Sequence, residues 1–542
     1  MVVYLVVIFW LIIVFKKLCF WVWLWQIKEY RIKRLIDHFR TTKGKKLIIN
    51  KLFLVKLLIL LGSVFLLPIL AFFIPLIFFI EALSVIKHLW QKTLIIPVLT
   101  TKTGVILFVG VLLILFYLIG IVPFFLDWAL KLSPIIYIYF LAFDLLAPII
   151  FSGLVLAFQP LTLVLRNRMI EKAKQKRAKF KNLIVVGITG SYGKTSTKEF
   201  LFSILSTKFK VLKTKEHQNT DSALAQHILN KLNLKYQIFI AEIAAYSRGE
   251  VKSACDIVKP KIGILCGVNE QHLALFGSME NLISAEGGAE LIKSLPQNGC
   301  LIVNKDNEKV LNFIEWQTLK LPQSRIFCSI KTKSDLWAED IKKSKEQICF
   351  KIFSKNGDFA EFRVNLLGEH NVSNILLAAA CAKELGMSLD EIAKACQKIK
   401  PLEKTMQIKK GINGLNIIDD SYSANPDGVL AALDYLKILP KTNKKIIIMP
   451  CLIELGPATQ PNHQKIGEKI GQVCDLAIIT TKEMFEEIKK AAIKTGINKK
   501  NILFMENPKE ILAKIKSFSL PGDTILLEGR LSNELIERLV MR

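Results

Sequence analysis

The chain has 542 residues, of which 51% are hydrophobic, and 74 Lys and Arg against 46 Asp and Glu give a formal net charge of +28. This length predicts three or four domains, and the high apolar content excludes a disordered or fibrous chain. Residues 1–181 hold 24 basic and 6 acidic residues, so most of the positive charge lies in an apolar N-terminal third. That combination is typical of a membrane protein with cationic loops, and we expect no nucleic-acid partner.

The N-terminal third contains four apolar stretches that are long enough to span a membrane, since a helix needs about 20 residues to cross the hydrocarbon. The first is either one span or a span followed by an aromatic interfacial piece. The second is either a kinked helix or a hairpin, and the fourth contains Asp144, a carboxylate that is either functional or close to the membrane surface. We therefore expect a transmembrane helical domain over residues 1–165, built from the stretches 2–25, 52–86, 104–127 and 134–165.

Two basic segments determine the expected topology. Residues 26–51 contain nine Lys and Arg, and residues 166–181 contain eight. The positive-inside rule places both segments in the cytoplasm, so an even number of crossings must separate them. Three apolar stretches lie between them, which means that one of the three is a hairpin, a re-entrant loop or an interfacial helix. Residues 166–182 form a basic juxtamembrane linker next to anionic headgroups.

A phosphate-binding loop opens the remainder of the chain. The apolar run LIVVGI predicts a buried parallel strand, and GITGSYGKTSTKEF follows it directly. Glycines let the backbone wrap phosphate oxygens, Lys194 brings a charge to the β- and γ-phosphates, and Thr195 offers its hydroxyl to Mg²⁺. The strict pattern has glycine where this chain has Ile188, so the loop is a TGSxGKTS variant. The residues expected to contact the nucleotide here are Thr189, Gly190, Ser191, Gly193, Lys194, Thr195 and Ser196.

Further polar residues follow the ends of apolar strands, where parallel sheets bind ligands. Glu242 ends the run IFIAE and offers the hard oxygen that Mg²⁺ prefers. His272 follows the run KIGILCGV, and Asn371 and Asn374 lie one turn apart on one helix face. A last group comes after the run LNIID and comprises Asp420, Tyr422 and Asn425.

These segments, in this order, resemble the Mur ligases, the cytoplasmic amide-forming enzymes of peptidoglycan synthesis. The resemblance covers about residues 183–542. The segment at 417–433 is close to the DDSYNANP signature of the branch that adds D-alanyl-D-alanine. The segments that carry the resemblance after the phosphate loop are AEIAAYSRGE at 241–250, VNEQHLALFGS at 268–278, LGEHNVSNILLAAACAKELGM at 367–387, IIDDSYSANPDGVLAAL at 417–433 and IELGPATQPNHQKIG at 453–467.

The resemblance implies an ATP- and Mg²⁺-dependent ligase that phosphorylates a carboxylate and lets an amine attack the acyl phosphate. It implies a muramoyl tripeptide and D-alanyl-D-alanine as substrates, with the catalytic domains on the cytoplasmic side of a bacterial inner membrane. Lys194, Glu242 and His272 become the expected catalytic residues, and Thr195, Glu242 and His272 the expected metal ligands. Two alternatives are a related membrane-bound ligase with a lipid-linked or polyglutamate-type acceptor, and a non-catalytic ATP-binding membrane protein. The expected nucleotide contacts outside the loop are Asn371, Asn374, Asp420, Tyr422 and Asn425.

The chain also departs from the Mur ligase pattern. Members commonly carry a carbamylated lysine after FGS, whereas the segment ENLISAEGGAELI at 280–292 contains no lysine, and alignment on AEL puts Gly288 at that position. As a hypothesis, Glu286 or Glu290 supplies a carboxylate directly. Lys404 stands where the family has an arginine and would replace its phosphate contact without its bidentate geometry. Glu528-Gly529-Arg530 replaces KGS, and the apolar stretches replace the UDP-sugar domain of soluble members.

Two α/β domains are expected after the linker. Residues 183–404 alternate apolar strands with helical stretches and predict a P-loop parallel-sheet ATPase domain. Residues 405–542 repeat this alternation on a smaller scale and predict a doubly wound C-terminal domain. The second domain is expected to close over the first and build the acceptor site.

Overall fold

The computed structural model describes residues 2–65, 68–120, 134–216, 218–316, 324–344, 347–440 and 442–541. The chain forms two compact units, which comprise residues 1–167 and 168–542. The first unit is helical. The described residues form two β-sheets, and both lie in the second unit. The four domain ranges expected from the sequence stay predictions.

The long helices of the N-terminal unit are apolar on nearly all sides, as in a membrane-spanning bundle, whereas the short helices Ile32–Arg40 and Thr42–Ile48 carry several basic residues. Among the described residues, five helical segments are long and apolar enough to cross a membrane: Val3–Ile27, Gly44–Val64, Ile69–Trp90, Thr101–Ile119 and Ile135–Ala178. Inside the unit, the indole nitrogen of Trp10 donates a 3.0 Å hydrogen bond to the carbonyl oxygen of Phe140. The helices are Val2–Ile27, Ile32–Arg40, Thr42–Ile48, Lys51–Phe65, Ile74–Trp90, Thr101–Ile119 and Pro134–Ala157, and the helix Gln159–Ala178 follows them. A 3₁₀ segment spans Pro68–Phe73.

The helix bounds decide between the alternatives that the apolar stretches left open. The first stretch lies in one continuous helix that includes its aromatic end. The stretch 52–86 contains two helices, and Lys56 of the first pairs with Glu81 of the second, so the chain turns back as a hairpin. Of the stretch 104–127, residues 121–127 lie outside the described residues. The last stretch is one helix up to Ala157, with Pro148 inside it, and a second helix begins at Gln159.

The first sheet has nine strands in the order β2-β3-β1-β4-β5-β6-β7-β8-β9. Neighbouring strands from β2 to β7 are parallel. The central strands β1, β3, β4 and β5 are buried along nearly their whole length, which is why they occur as short and mainly apolar runs. Their bounds are β1 Ile184–Thr189, β2 Val211–Lys213, β3 Ile238–Glu242, β4 Ile262–Leu265, β5 Cys300–Asn304, β6 Ser324–Ser329 and β7 Leu336–Lys343, followed by β8 Ile348–Ser354 and β9 Phe359–Val364.

The far edge of this sheet differs from the expected parallel arrangement. Strands β7, β8 and β9 pair in antiparallel fashion. In β8 and β9 buried residues alternate with more exposed ones, the pattern of a sheet with one solvated face. The turn at Gly357, with φ of +92°, joins β8 to β9.

The second sheet has six strands in the order β10-β11-β15-β12-β13-β14, all parallel except β10 against β11. The expected strands of the C-terminal region are present. Their bounds are β10 Gln407–Lys410, β11 Asn416–Asp420, β12 Lys445–Met449, β13 Leu476–Ile479, β14 Ile502–Phe504 and β15 Thr524–Glu528.

Helices cover the faces of both sheets, as the α/β alternation predicts. Around the first sheet they are Lys194–Leu205, Asp221–Lys231, Glu250–Val258, Leu273–Phe276, Met279–Ala285, Ala289–Ser294, Glu308–Trp316, His370–Glu384 and Leu389–Cys396. Around the second sheet they are Pro426–Ile438, Thr459–Val473, Phe485–Thr495, Pro508–Phe518 and Asn533–Leu539, with 3₁₀ turns at Ile412–Gly414, Gly456–Ala458 and Lys499–Asn501. A further 3₁₀ turn, Glu270–His272, follows β4 of the first sheet.

Candidate active site

The glycine loop connects the carboxyl end of β1 to the helix that begins at Lys194. Gly190 has a φ of +143° and Gly193 a φ of +76°, values that side chains rarely adopt. A Cβ on Gly190 would lie 2.8 Å from the carbonyl oxygen of Gly267, and one on Gly193 would lie 2.6 Å from Oδ1 of Asn374. Only glycine therefore fits at either position, and the loop backbone stays open to a phosphate group.

The start of this helix places a cation and a hydroxyl beside the loop. The ammonium of Lys194 donates to the carbonyl oxygen of Gly190 and lies 3.9 Å from Glu286. The hydroxyl of Thr195 donates to Oε1 of Glu242 at 3.1 Å. Ser196 follows in the first turn, and it lines the same cavity as Lys194 and Thr195.

Glu242, at the end of β3, is buried and held by polar groups. Asn219 donates to Oε1 at 3.0 Å, and the ammonium of the buried Lys198 lies 3.1 Å from Oε2. Burial alone would raise the pKa of Glu242, but the Lys198 charge and the Asn219 hydrogen bond outweigh it and hold the pKa below its ordinary value. Glu242 is thus a carboxylate at neutral pH.

Glu286 is a second buried carboxylate beside the loop. The hydroxyl of Ser191 donates to its Oε2 at 2.7 Å, and Nδ1 of His272 lies 3.0 Å from its Oε1. Burial would raise its pKa, but the charges of His272 and Lys194 lower it further than burial raises it.

Glu290 has a different environment from Glu286. Its carboxylate accepts hydrogen bonds from the backbone amides of Gly249 at 2.6 Å and Lys252 at 2.9 Å. It therefore caps the helix Glu250–Val258. Of the two carboxylates considered as substitutes for the absent lysine, Glu286 alone contacts the phosphate loop, and Gly288 is the left-handed residue before the helix Ala289–Ser294.

The three expected metal ligands are only partly brought together. Thr195 and Glu242 are in contact, but among the described residues His272 forms no hydrogen bond or ion pair with either. No group of three or more His, Cys, Asp and Glu side chains in the described part of the chain could hold a metal ion by itself. Mg²⁺ commonly takes one or two carboxylates together with phosphate oxygens and water, so the two oxygen donors of Thr195 and Glu242 fit such an ion.

The two asparagines of the helix His370–Glu384 have unequal positions. Asn374 lines the cavity, and its Oδ1 lies 3.4 Å from the Thr197 hydroxyl. Asn371 donates to the carbonyl oxygen of Leu367 at 2.8 Å and does not line the cavity. Thr189 and Gly190, which precede Ser191 in the loop, do not line the cavity either.

The second sheet contributes the opposite side of the site. Asp420, Tyr422 and Asn425 all line the cavity. The side-chain oxygen Oδ1 of Asn425 caps the helix Pro426–Ile438 by accepting from the Gly428 amide at 3.0 Å, and it also accepts from the Asn269 side chain at 2.9 Å. Burial, and then the nearby Glu242 carboxylate, raise the pKa of Tyr422.

Asp420 faces a carboxyl group that the sequence interpretation did not place. Burial raises the pKa of Asp420 to about 7, and the neighbouring charge of Asp419 adds to the effect. Glu528 is fully buried beside Asp420, and burial followed by the Asp420 charge raises the pKa of Glu528 well above its ordinary value. The two carboxyl groups therefore retain protons that isolated groups would lose.

Lys404 is expected from the sequence to contact a phosphate, and this stays a prediction. Its neighbours Glu403 and Thr405 line the cavity, but Lys404 does not, whereas Arg530 does. The backbone of Lys404 is left-handed, with a φ of +57°. Sequence reasoning also missed Asn219 and Lys198, which carry no motif and are identified only by their contacts with Glu242.

Taken together, the strand, glycine loop and helix define a P-loop α/β protein with a cavity of about 940 Å³ beside the loop. Two family models match the chain: the Mur ligase middle domain over residues 188–382 and the Mur ligase glutamate ligase domain over residues 406–531. The chain belongs to the Mur ligase family.

Several relatives of known name are similar to this chain. It is 30% identical over 364 residues to the UDP-N-acetylmuramoyl-tripeptide–D-alanyl-D-alanine ligase of Buchnera aphidicola, which covers 66% of this chain and 76% of that protein. It is 27% identical over 359 residues to the ligase of the same name from Bacillus subtilis, with the same coverage. Among solved structures, MurF from Thermotoga maritima in complex with ADP shares the fold, with a TM-score of 0.60, 23% identity and coverage of 69% of this chain and 83% of that one.

Proposed function

We propose that this protein adds D-alanyl-D-alanine to a muramoyl tripeptide at the cytoplasmic face of a bacterial membrane. Its reaction class follows from its family: it is an ATP-dependent ligase that forms an amide bond and uses Mg²⁺. The choice of the two substrates rests on the names of its relatives and on the DDSYSANP segment.

One observation carries the proposal. A single cavity is lined on one side by the phosphate loop with Glu242 and on the other side by residues that follow β11 of the second sheet. A ligase of this kind must hold a nucleotide and two further substrates against each other, because proximity supplies much of the rate enhancement. A cavity between two α/β layers provides that arrangement.

The reaction has two steps. A carboxylate oxygen of the first substrate attacks the γ-phosphorus of ATP, and ADP departs with the electron pair of the broken P–O bond. The amine of the second substrate then attacks the acyl carbon, phosphate departs, and the amine loses a proton. Negative charge develops on the transferred phosphoryl oxygens, so positioned cations lower the barrier.

The chain supplies that electrostatic environment from the first sheet. Lys194 brings its charge to the phosphates from the start of a helix whose dipole also favours anions. Thr195 and Glu242 would hold Mg²⁺, which neutralises phosphate charge when it is bound. Lys198 and Asn219 keep the Glu242 carboxylate ionised and in place. Glu286 fixes the Ser191 hydroxyl on the loop.

The membrane location rests on the N-terminal helices. Five segments are long and apolar enough to span a bilayer. If all five cross it, four crossings separate the basic segments 26–51 and 166–181, and an even number is what the positive-inside rule requires. Both family models start after residue 187, so the helical unit stands before the ligase core. This observation favours, as a second candidate, an acceptor that is itself attached to a membrane lipid.

The proposal is tested with the detergent-solubilised full chain, ATP, Mg²⁺, UDP-muramoyl tripeptide and D-alanyl-D-alanine. We expect ADP release that requires both substrates, and a product with the mass of the joined peptide. Lys194→Ala should abolish turnover, while Lys208→Ala, which removes an exposed lysine paired with Glu391, should not. ADP release at the same rate with and without D-alanyl-D-alanine would refute this substrate pair. Activity with only a lipid-linked acceptor would establish the second candidate. A reporter fused after the last residue tests the topology, since a periplasmic reporter contradicts it.

A further inference from the structure

Four charged side chains from four different helices meet inside the N-terminal unit. Asp144 accepts from the ammonium groups of Lys17 and Lys56, each at 2.6 Å, and Lys56 also pairs with Glu81. Asp144 is fully buried and Lys56 is 2% exposed. We call these four residues the charge cluster.

The charge cluster is an expensive feature for apolar helices. Removing ions from water costs free energy that even good pairing only roughly repays, and ionisable residues within membrane spans usually mark a functional site. Lys17, Glu81 and Asp144 lie about two turns or more from either end of their helices, and Lys56 lies more than one turn inside its helix. A purely apolar contact would hold these helices together at lower cost, so the cluster points to a ligand.

A cavity of about 430 Å³ opens onto the charge cluster. Its walls also include Lys16, which has no ionic partner among the described residues. The four cluster charges cancel one another, so Lys16 gives the cavity a net positive charge. The rest of the lining is mainly apolar and aromatic, and includes Phe20, Trp21, Leu52, Phe53, Leu94 and Pro148.

Several ammonium N–H donors in this cavity form no hydrogen bond within the described part of the chain. An ammonium has three N–H donors. Lys17 uses two on the carboxylate and carbonyl oxygens of Asp144, and Lys56 uses two on Asp144 and Glu81. Each retains one donor, and Lys16 retains three. A phosphate group, with several acceptor oxygens and a negative charge, matches this set.

We propose that the cavity binds the phosphate headgroup of a long-chain lipid, with the lipid chain against the apolar wall. Residues 47–53 and 88–95 contribute to the lining, and they adjoin the basic segment 26–51 that the sequence places in the cytoplasm. The lipid therefore belongs to the cytoplasmic leaflet. This inference rests on the membrane location proposed above, but not on the identity of the ligase substrates.

The test measures lipid binding to the full chain in detergent by native mass spectrometry and by competition with a fluorescent polyprenyl phosphate. We expect selective retention of phosphate lipids over neutral diacylglycerol. Lys16→Gln should weaken binding about tenfold, which corresponds to about 1.4 kcal/mol, because it removes the cation that lacks a partner. Lys45→Gln, an exposed lysine outside the cavity lining, should bind as the original protein does.

The competitors separate the possible sources of the phosphate. Displacement by polyprenyl phosphate at lower concentration than phosphatidylglycerol identifies a carrier lipid, and the reverse order identifies a bilayer phospholipid. Equal retention of neutral and phosphate lipids, or equal affinity of Lys16→Gln and the original protein, overturns the proposal. Lys194→Ala should lose ligation but keep lipid binding, so failure of this site is distinct from failure of the proposed enzyme activity.

Discussion

The hydroxyl of Ser191, in the phosphate loop, donates a 2.7 Å hydrogen bond to the carboxylate of Glu286, which is 1% exposed. The same carboxylate contacts His272 and lies 3.9 Å from Lys194. One buried anion thus connects three side chains that the sequence assigned to nucleotide binding and catalysis. Glu286 is one of the two carboxylates that the sequence analysis considered as a substitute for the absent lysine.

Glu286→Gln should lower the rate of Mg²⁺-dependent ADP release. The amide keeps the shape of the side chain but removes the charge opposite Lys194 and His272. Hydrogen bonds to charged groups contribute about 1.5–3 kcal/mol, which corresponds to about 10- to 100-fold in rate. Glu290→Gln is the matched control, since Glu290 caps a helix, and it should change thermal stability more than turnover. Equal activities of the two variants would contradict the role of Glu286.

Thr195→Val should raise the Mg²⁺ concentration needed for half-maximal activity. Valine has nearly the shape of threonine but lacks the hydroxyl that contacts Glu242 at 3.1 Å. Thr195→Ser retains an oxygen and should titrate with Mg²⁺ almost as the original protein does. Measuring ADP release across a Mg²⁺ series distinguishes them, and identical curves for Val and Ser would show that the hydroxyl does not reach the ion.

Gly193→Ala should weaken ATP binding strongly. Alanine at a φ of +76° costs about 1 kcal/mol in backbone energy alone, and its Cβ would lie 2.6 Å from the Asn374 side chain. Gly357→Ala has a similar positive φ but nothing within 4 Å of the new Cβ, so it controls for the backbone effect. Calorimetric titration with a non-hydrolysable ATP analogue should show a loss of affinity for Gly193→Ala and unchanged affinity for Gly357→Ala.

Asp420→Asn should change how stability depends on pH. The pKa of Asp420 is about 7 in the folded protein, against an ordinary value of 3.8. Between these values the folded state keeps a proton that the unfolded state has lost, so stability falls as the pH rises from about 4 to about 7. From pH 5 to pH 8 the free energy of unfolding should therefore fall less in Asp420→Asn than in the original protein, by about 1–3 kcal/mol.

Thermal unfolding of the full chain at both pH values measures this difference. Glu361→Gln, which changes a carboxylate that is 77% exposed, should leave the pH dependence unaltered. If Asp420→Asn changes the unfolding temperature by the same amount at pH 5 and at pH 8, the pKa of Asp420 in the original protein is ordinary.

The sequence predicted the parts of the fold that local pattern determines. The run LIVVGI predicted a strand at 183–188, and β1 spans Ile184–Thr189, because a β-branched apolar run before a glycine loop has few other uses. The antiparallel hairpin of β8 and β9 was missed, although its alternating residues carried the signal. Their alternation has a period of two, which differs from the continuous apolar runs of the buried parallel strands.

The candidate site was predictable only where a motif exists. Lys194 and Thr195 follow from the glycine spacing. Lys198 lies one turn further along the same helix and Asn219 lies outside every motif, and only the structure shows that both contact Glu242. The sequence could not distinguish Glu286 from Glu290, because the two glycines between them allow a turn whose direction the sequence does not determine. The chain turns there, with Gly288 at a φ of +98°, and the two carboxylates face different neighbours.

The connection between the two sheets has an energetic consequence. Lys404 and Met406 both have left-handed backbones, with φ of +57° and +47°, and each costs about 1 kcal/mol or more for a residue with a side chain. The segment therefore carries about 2 kcal/mol of backbone strain that favourable contacts elsewhere must offset. One such contact joins the two sheets beyond this segment, since Asn269 donates to Asn425 and to Asp427, each at 2.9 Å.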